Sequence, residues 1–364
     1  MKTITKEFTL KVPCDLSRFE DAERILFFDI ETTGLSSKRD MVYLIGCVYL
    51  RDGVWRMKQW FADSVLTEAE LLLHFFLFTS RFSVLIHFNG TTFDLPFLKE
   101  RALLHQIPVS GRVPESFDLY RELRPLKKFL GLPDCRQKTL EAFLGTGRTD
   151  PYDGGRLISF YWEYLRTGDT FFSDALLLHN EEDIEGLPEL LSLLSYRDFF
   201  QGALHVESEF LEPSSGENEA SSRYLRLTCV NEACSFPVPC ELSAGDCLLS
   251  CQGHILSVRI PMFEGTLKYF FSDYANYYYL PGEDYAIHKS VAAFVDKAHR
   301  KKATAKTCYQ KRKGLFLPVP ETGITDRPLF YLEYKKAPFY LEYASELWED
   351  SVFLQKFLLA SFFK

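Results

Sequence analysis

The chain lacks any uninterrupted apolar run of membrane-spanning length. Its most hydrophobic region, residues 71–88, contains His74, Arg81 and Ser83 and changes midway from a helical to a strand-like pattern, which marks it as buried core. An export signal is also missing: Lys6, Glu7 and Lys11 interrupt the N-terminus before any apolar segment can build, so a cytoplasmic protein is expected. Nine cysteines among 364 residues are too sparse for a disulfide scaffold. Five of them, Cys229, Cys234, Cys240, Cys247 and Cys251, gather near His254, but none shows C-x2-C spacing, and reduced core thiols are expected in place of a zinc knuckle. There is no internal repeat, and no overall positive charge. A formal net charge of -8 argues against a general polyanion binder.

The basic residues that are present are unevenly distributed. Residues 287–313 hold nine Lys/Arg against the single acid Asp296, which leaves -16 for the remainder of the chain. A length of 364 residues with 46% hydrophobic and 25% charged content suits one full α/β domain plus a smaller unit.

Residues 25–30, 42–49 and 54–61 read as three strands. The Asp52-Gly53 turn between the last two predicts an antiparallel meander. Thr67, followed by Glu68 and Glu70, suits the cap of a helix through Phe78, after which residues 83–88 form a fourth strand. A second helix is expected from about Phe93 to Leu104, and a fifth short strand at 116–119. Residues 145–155 form a Gly/Asp-rich loop, with helical patterns at 157–165 and 176–194 beyond it. This βββαβαβα order predicts one mixed five-stranded sheet flanked by helices, in a domain covering residues 20–200. A polar linker is expected at 211–222. Short strands at 224–228, 254–260, 267–271 and 276–279, then a basic helix-like stretch, predict a smaller β-rich α+β domain over residues 223–364.

Three segments carry the chemistry. In Phe-Phe-Asp29-Ile-Glu31-Thr32-Thr-Gly-Leu, alternation along a strand sends Asp29 and Glu31 to the same face of an otherwise buried segment. Their mutual repulsion and partial desolvation call for a compensating cation, unless the strand end is simply solvated. In His87-Phe-Asn89-Gly-Thr-Thr-Phe93-Asp94-Leu-Pro96, the Asn-Gly turn ends a strand, and Thr91 or Thr92 can cap the next helix. Asp94 then stands in the first turn, either complementing the helix dipole or facing the Asp29/Glu31 pair. In His179-Asn180-Glu181-Glu182-Asp183, His179 and Asp183 share a face if the helix already includes both; otherwise Asn180 is the N-cap and Asp183 its capping partner. Gly186 and Pro188 imply a kink downstream.

Taken together, these segments resemble the DEDD superfamily of 3'-5' exonucleases, and most closely the YprB-type bacterial RNase H-like proteins. The resemblance covers about residues 25–194. It implies an RNase H-like domain in which Asp29, Glu31, Asp94 and Asp183 hold two Mg2+ or Mn2+ ions, hydrolysing phosphodiesters of DNA or RNA from a single-stranded end or 3' terminus. Thr32, Asn89 and Phe93 belong to the same motifs and are expected beside substrate. The third motif has the spacing of the tyrosine subclass but carries His179 in the tyrosine position; unless it simply packs at the helix start, His179 is the candidate general base, since a pKa of about 6.5 suits that role.

Positive partners for phosphate are expected from Lys127 and Lys128 in the first domain. In the second, Lys301, Lys302, Lys311 and Arg312 are expected to contribute, with Tyr309 available for stacking. A catalytically silent nucleic-acid-binding module, and an endonuclease or structure-specific RNase, are the rival readings.

Overall fold

The computed structural model describes residues 1–10, 12–109, 114–152, 154–213, 223–244 and 246–363. The chain divides into two compact units, Met1–Ser195 and Tyr196–Lys364.

The first unit is built on a sheet of six strands, β1 (Lys2–Phe8), β2 (Ile25–Thr32), β3 (Val42–Arg51), β4 (Val54–Phe61), β5 (Val84–His87) and β6 (Glu115–Asp118), in the order β1-β4-β3-β2-β5-β6. Strands β1 to β4 pair antiparallel, whereas β2, β5 and β6 run parallel. The sheet thus has one strand more than the five expected. The extra strand, β1, has mostly exposed residues and lies at the edge, so it carries little of the apolar pattern that identifies a strand.

Helices α1 (Glu68–Thr79), α2 (Asp94–Leu104), α3 (Leu119–Leu123), α4 (Leu126–Phe129), α5 (Gln137–Leu144), α6 (Gly154–Thr167), α7 (Thr170–Leu190) and α8 (Ser195–Asp198) follow in order. Neither of the two expected caps is made: α1 and α2 both lack a side-chain cap. Thr67 makes no side-chain cap, and Ser64 instead accepts from the Leu66 N–H at 3.3 Å. Thr92 donates its hydroxyl to Asn89, while Asp118 accepts from the Asn89 and Thr91 N–H groups at 2.8 and 3.1 Å.

Strand β2 is apolar almost throughout because the sheet is covered on both faces. Leu26, Phe28 and Ile30 enter a core with Trp60 and Phe75, and the intervening positions 27, 29 and 31 point the other way.

In the second unit the 16-residue strand β11 (Ile255–Phe270) is central. Its first half pairs with β8 (Arg223–Val230) and β10 (Cys247–Gly253), and its second half with β15 (Tyr309–Val319). β7 (His205–Glu212), β9 (Phe236–Ala244), β16 (Leu329–Tyr331) and β17 (Phe339–Glu342) complete this sheet. A separate three-stranded sheet joins β12 (Tyr277–Leu280), β13 (Tyr285–His288) and β14 (Lys301–Lys302). Helices α9 (Lys289–Ala292) and α10 (Ser351–Phe362) are the α component. The expected linker is partly strand, since β7 includes Leu211 and Glu212; residues 214–222 lie outside the described residues.

The basic stretch is not the helix expected. Within it α9 covers only Lys289–Ala292; Ala303 and Cys308 pack with Ala286 in a small cluster instead of forming a helical stripe, Lys301 and Lys302 fall on β14, and Lys311 and Lys313 on β15. Cys240 and Cys251 face each other across β9 and β10, and Cys229 is buried in β8. Among the described residues no helix is long and apolar enough to cross a membrane.

Candidate metal centre

The end of β2 meets the start of α2 and the middle of α7. Helix α7 begins at Thr170, capped by Asp169, which accepts from the Phe171 N–H at 2.9 Å. Asn180 therefore lies well inside the helix, and His179 and Asp183 share a face. His179 Nε2 lies 3.1 Å from Asp183 Oδ2 and 3.5 Å from Glu31 Oε1. Glu31, His179 and Asp183 each offer a ligand atom, all within 4.8 Å of one another. The tightest grouping thus includes His179, which was expected as the base and not as a ligand.

Asp29 lies beside this trio. Its Oδ2 accepts from Asn180 Nδ2 at 3.2 Å, and Asn180 Oδ1 accepts from Gln59 Nε2 at 3.0 Å. Asp29, Gly46 and Gln59 are successive partners across β2, β3 and β4. Asn180 spans that row, and the absence of a side chain at Gly46 lets the helix approach. Asp94, the first residue of α2, is buried and accepts from the Ile30 N–H, between the two β2 acids.

The electrostatics follow from this crowding. Burial, then Asp183, Glu31 and Asp94, drive the Asp29 carboxyl well above the ordinary range. Burial pushes Glu31 up to about 7 against the opposing pull of His179. Asp94 also reaches about 7 through burial, with its own and the Ile30 N–H groups opposing. Asp183 behaves differently: burial would raise it, but His179 and the Arg148 guanidinium outweigh that and hold it below the ordinary range. Burial alone would lower His179, yet Asp183, Glu31 and Asp150 outweigh it and bring it to about 9. Carboxylates whose charges oppose one another, with one imidazole beside them, fit a divalent cation.

Several of these participants were not legible as site residues. Arg148 reaches both Asp183 and Glu141, and Nη2 donates to Glu141 Oε1 at 2.6 Å. Asp150 accepts from His179 Nδ1. Tyr43 reaches Glu31 with its hydroxyl at 3.5 Å. For Asn180, Gly46 inside the apolar strand β3 was an available signal, since such a glycine often marks close approach by another element.

The expected substrate contacts are less uniform. Thr32 is buried and donates its hydroxyl to the Gly34 carbonyl at 2.7 Å. Asn89 is exposed in the left-handed region at φ 62°, and Phe93 packs its ring against Phe97. Lys127 and Lys128 are exposed on α4, and Lys301 and Lys302 on β14. Tyr309 corrects the expectation of a stacking platform: it is 5% exposed and bonds Asp284. Lys311 pairs with Asp284 at 2.5 Å and Arg312 with Glu342 at 2.8 Å, which offsets their charge.

Residues 26–195 match the family model RNase_H_2, of the RNase_H superfamily. With the mixed sheet and its flanking helices, this makes the first unit an RNase H-like domain. No curated protein matches the chain. Among solved structures it is similar to the family B DNA polymerase of the hyperthermophilic archaeon Pyrobaculum calidifontis, at 15% identity over 69% of this chain and 35% of that one, TM-score 0.38. It is also similar to E. coli exonuclease I in complex with a dA16 oligonucleotide, at 14% identity over 57% of this chain and 54% of that one, TM-score 0.28. The match thus spans about a third of the polymerase and half of the exonuclease.

Proposed function

We propose that the chain is a metal-dependent nuclease that hydrolyses phosphodiesters of DNA or RNA, acting as a DEDD-type 3'-5' exonuclease on a single-stranded end. Residues 20–200 would be the catalytic domain and residues 223–364 an accessory domain. The observation that carries this reading is the crowding of Asp29, Glu31, Asp94 and Asp183 on one another, with His179 against Glu31 and Asp183. Without cations such a pocket repels phosphate, so a pure binding module gains nothing from it.

Two Mg2+ or Mn2+ ions held by the four carboxylates would activate water and stabilise the attacking and departing oxygens. The chain's own residues set the geometry. Asn180 orients Asp29 from one side, and the Ile30 N–H orients Asp94 from the other. The acids that hold the second proton on His179 are those that would bind the cations. With their charge so engaged, Nε2 would be free to take the proton of the attacking water, and the new P–O bond would form as the bond to the departing strand breaks.

The test uses 3'-labelled and 5'-labelled DNA and RNA oligonucleotides with Mn2+ or Mg2+, beside Asp29→Asn. Stepwise loss from the 3' end is expected, at least about 10–100-fold slower in the variant, the range for losing even an outer-shell partner. Internal cuts would make the enzyme an endonuclease. Binding without cleavage would leave a silent module and overturn the proposal.

A further inference from the structure

We infer that Asp150 is a positioning residue for His179: by accepting the Nδ1–H it turns Nε2 toward Glu31 and Asp183. This rests on the reading of His179 as the proton acceptor of a nuclease.

Asp150 lies in the loop between α5 and α6, far in sequence from the motif acids, and its side chain is 1% exposed. A carboxylate buried to that degree must be surrounded by donors. Besides His179, its Oδ1 accepts from the Tyr152 N–H at 2.9 Å and its Oδ2 from Lys138 Nζ at 3.3 Å. Lys138 also donates to the Tyr152 carbonyl at 3.0 Å, so the same lysine pins both ends of the turn.

The loop is fastened to the helix that carries the histidine. Glu182 accepts from the Thr149 and Asp150 N–H groups at 2.8 and 3.0 Å. His179 and Glu182 stand three apart on α7, so one helical turn grips the loop twice. Burial would raise the Asp150 carboxyl, but His179 and the Tyr152 N–H outweigh it and keep it below the ordinary range.

The tautomer follows from these contacts. An ionised carboxylate only accepts, so Nδ1 must carry a hydrogen, and Nε2 is the nitrogen left to exchange a proton at the acidic face. Closing the loop alone would not require this: Tyr152 and Lys138 already satisfy Asp150, and Glu182 already holds the backbone. The bond to His179 is the one contact that reaches the site.

The test combines turnover with nitrogen spectroscopy of the full chain labelled with 15N-histidine, His179 being assigned through His179→Gln. Read at a pH high enough for the ring to be neutral, the wild-type His179 should carry its single hydrogen on Nδ1. Asp150→Ala and Asp150→Asn should lose that signature, and kcat should fall about 10–100-fold, as for other outer-shell partners, with KM changed less than about twofold. Asp150→Glu should recover most of both.

An unchanged His179 tautomer in a folded Asp150→Ala or Asp150→Asn protein would overturn the assignment, as would undiminished kcat in an active enzyme. Should Asp150→Ala unfold, the near-isosteric Asp150→Asn decides. If the wild type cleaves nothing, the nuclease reading fails, and the spectroscopic signature still decides whether Asp150 sets the ring.

Discussion

The carboxamide of Asn180 fills the space directly over Gly46: a β-carbon added there would overlap Asn180 Oδ1 and lie 3.0 Å from Ile184 Cδ1. The amide cannot swing away freely, because Gln59 holds its oxygen and Asp29 its nitrogen. Helix α7 therefore approaches the sheet at one glycine, and that approach brings His179 and Asp183 to the β2 acids.

Gly46→Ala should destabilise the first unit by about 1–3 kcal/mol, the usual cost of overpacking, and weaken cation binding by displacing Asn180 from Asp29. Denaturant melts of Gly46→Ala, Asn180→Ala and the double variant check this. The double variant should be less destabilised than the two single effects combined, because removing the amide relieves the clash. Strict additivity would show that the two residues do not meet.

Cation binding should be proton-linked. Glu31 and Asp94 are raised to about 7, and His179 to about 9. A cation at these groups must displace their protons, so apparent Mn2+ affinity should climb most steeply up to about pH 7, less steeply on to about pH 9, and flatten only above that. Calorimetry in two buffers of different ionisation heat would count the protons released. Affinity independent of pH would place the ion elsewhere.

How much of this was readable differs from residue to residue. Asp29 and Glu31 were visible because strand alternation is local, and the meander around Asp52-Gly53 was visible because turn chemistry is local. Whether Asn180 capped a helix or sat inside one was settled only by Asp169, well upstream, which provides the actual cap. Asp150 and Arg148 looked like ordinary loop residues, since their partners His179 and Asp183 lie 29 and 35 positions away. The edge strand β1 has too little apolar content to announce itself. Strands β9 and β10, which carry Cys240, Cys247 and Cys251, have a similarly weak apolar pattern.

Glu68 makes acid stability a test of the packing around α1. Its buried carboxylate accepts from Arg101 Nε at 2.8 Å, from the Val42 N–H at 2.8 Å, and pairs with His105 at 2.7 Å. Burial would raise its pKa, but these three partners outweigh that and hold it below the ordinary 4.5. With the folded value below the unfolded one, the contribution is fully present above about pH 4.5 and is lost as pH falls through the folded value. Glu68→Ala should cost about 3–5 kcal/mol at neutral pH, as expected when one partner of a buried pair is removed. The variant should also show a shallower acid limb. An equal loss at pH 3 and pH 7 would contradict this assignment.

On the second unit, Lys301 and Lys302 differ physically from Lys311 and Arg312. The first two are exposed on β14, whereas the latter are paired with Asp284 and Glu342. If this face meets a nucleic-acid backbone, reversing Lys301 and Lys302 to Glu should weaken binding and lower the salt slope by roughly 0.7 for each phosphate of a single strand that is no longer neutralised. Reversing Lys311 and Arg312 should change the slope less, because their charges are already offset. Tyr309→Phe should leave binding unchanged, since the ring is buried and offers no face to a base. Fluorescence anisotropy with a labelled oligonucleotide between about 50 and 200 mM salt, the interval over which phosphate neutralisation shows itself, separates these outcomes. An unaltered slope in the Lys301/Lys302 variant would remove this strand from the substrate path.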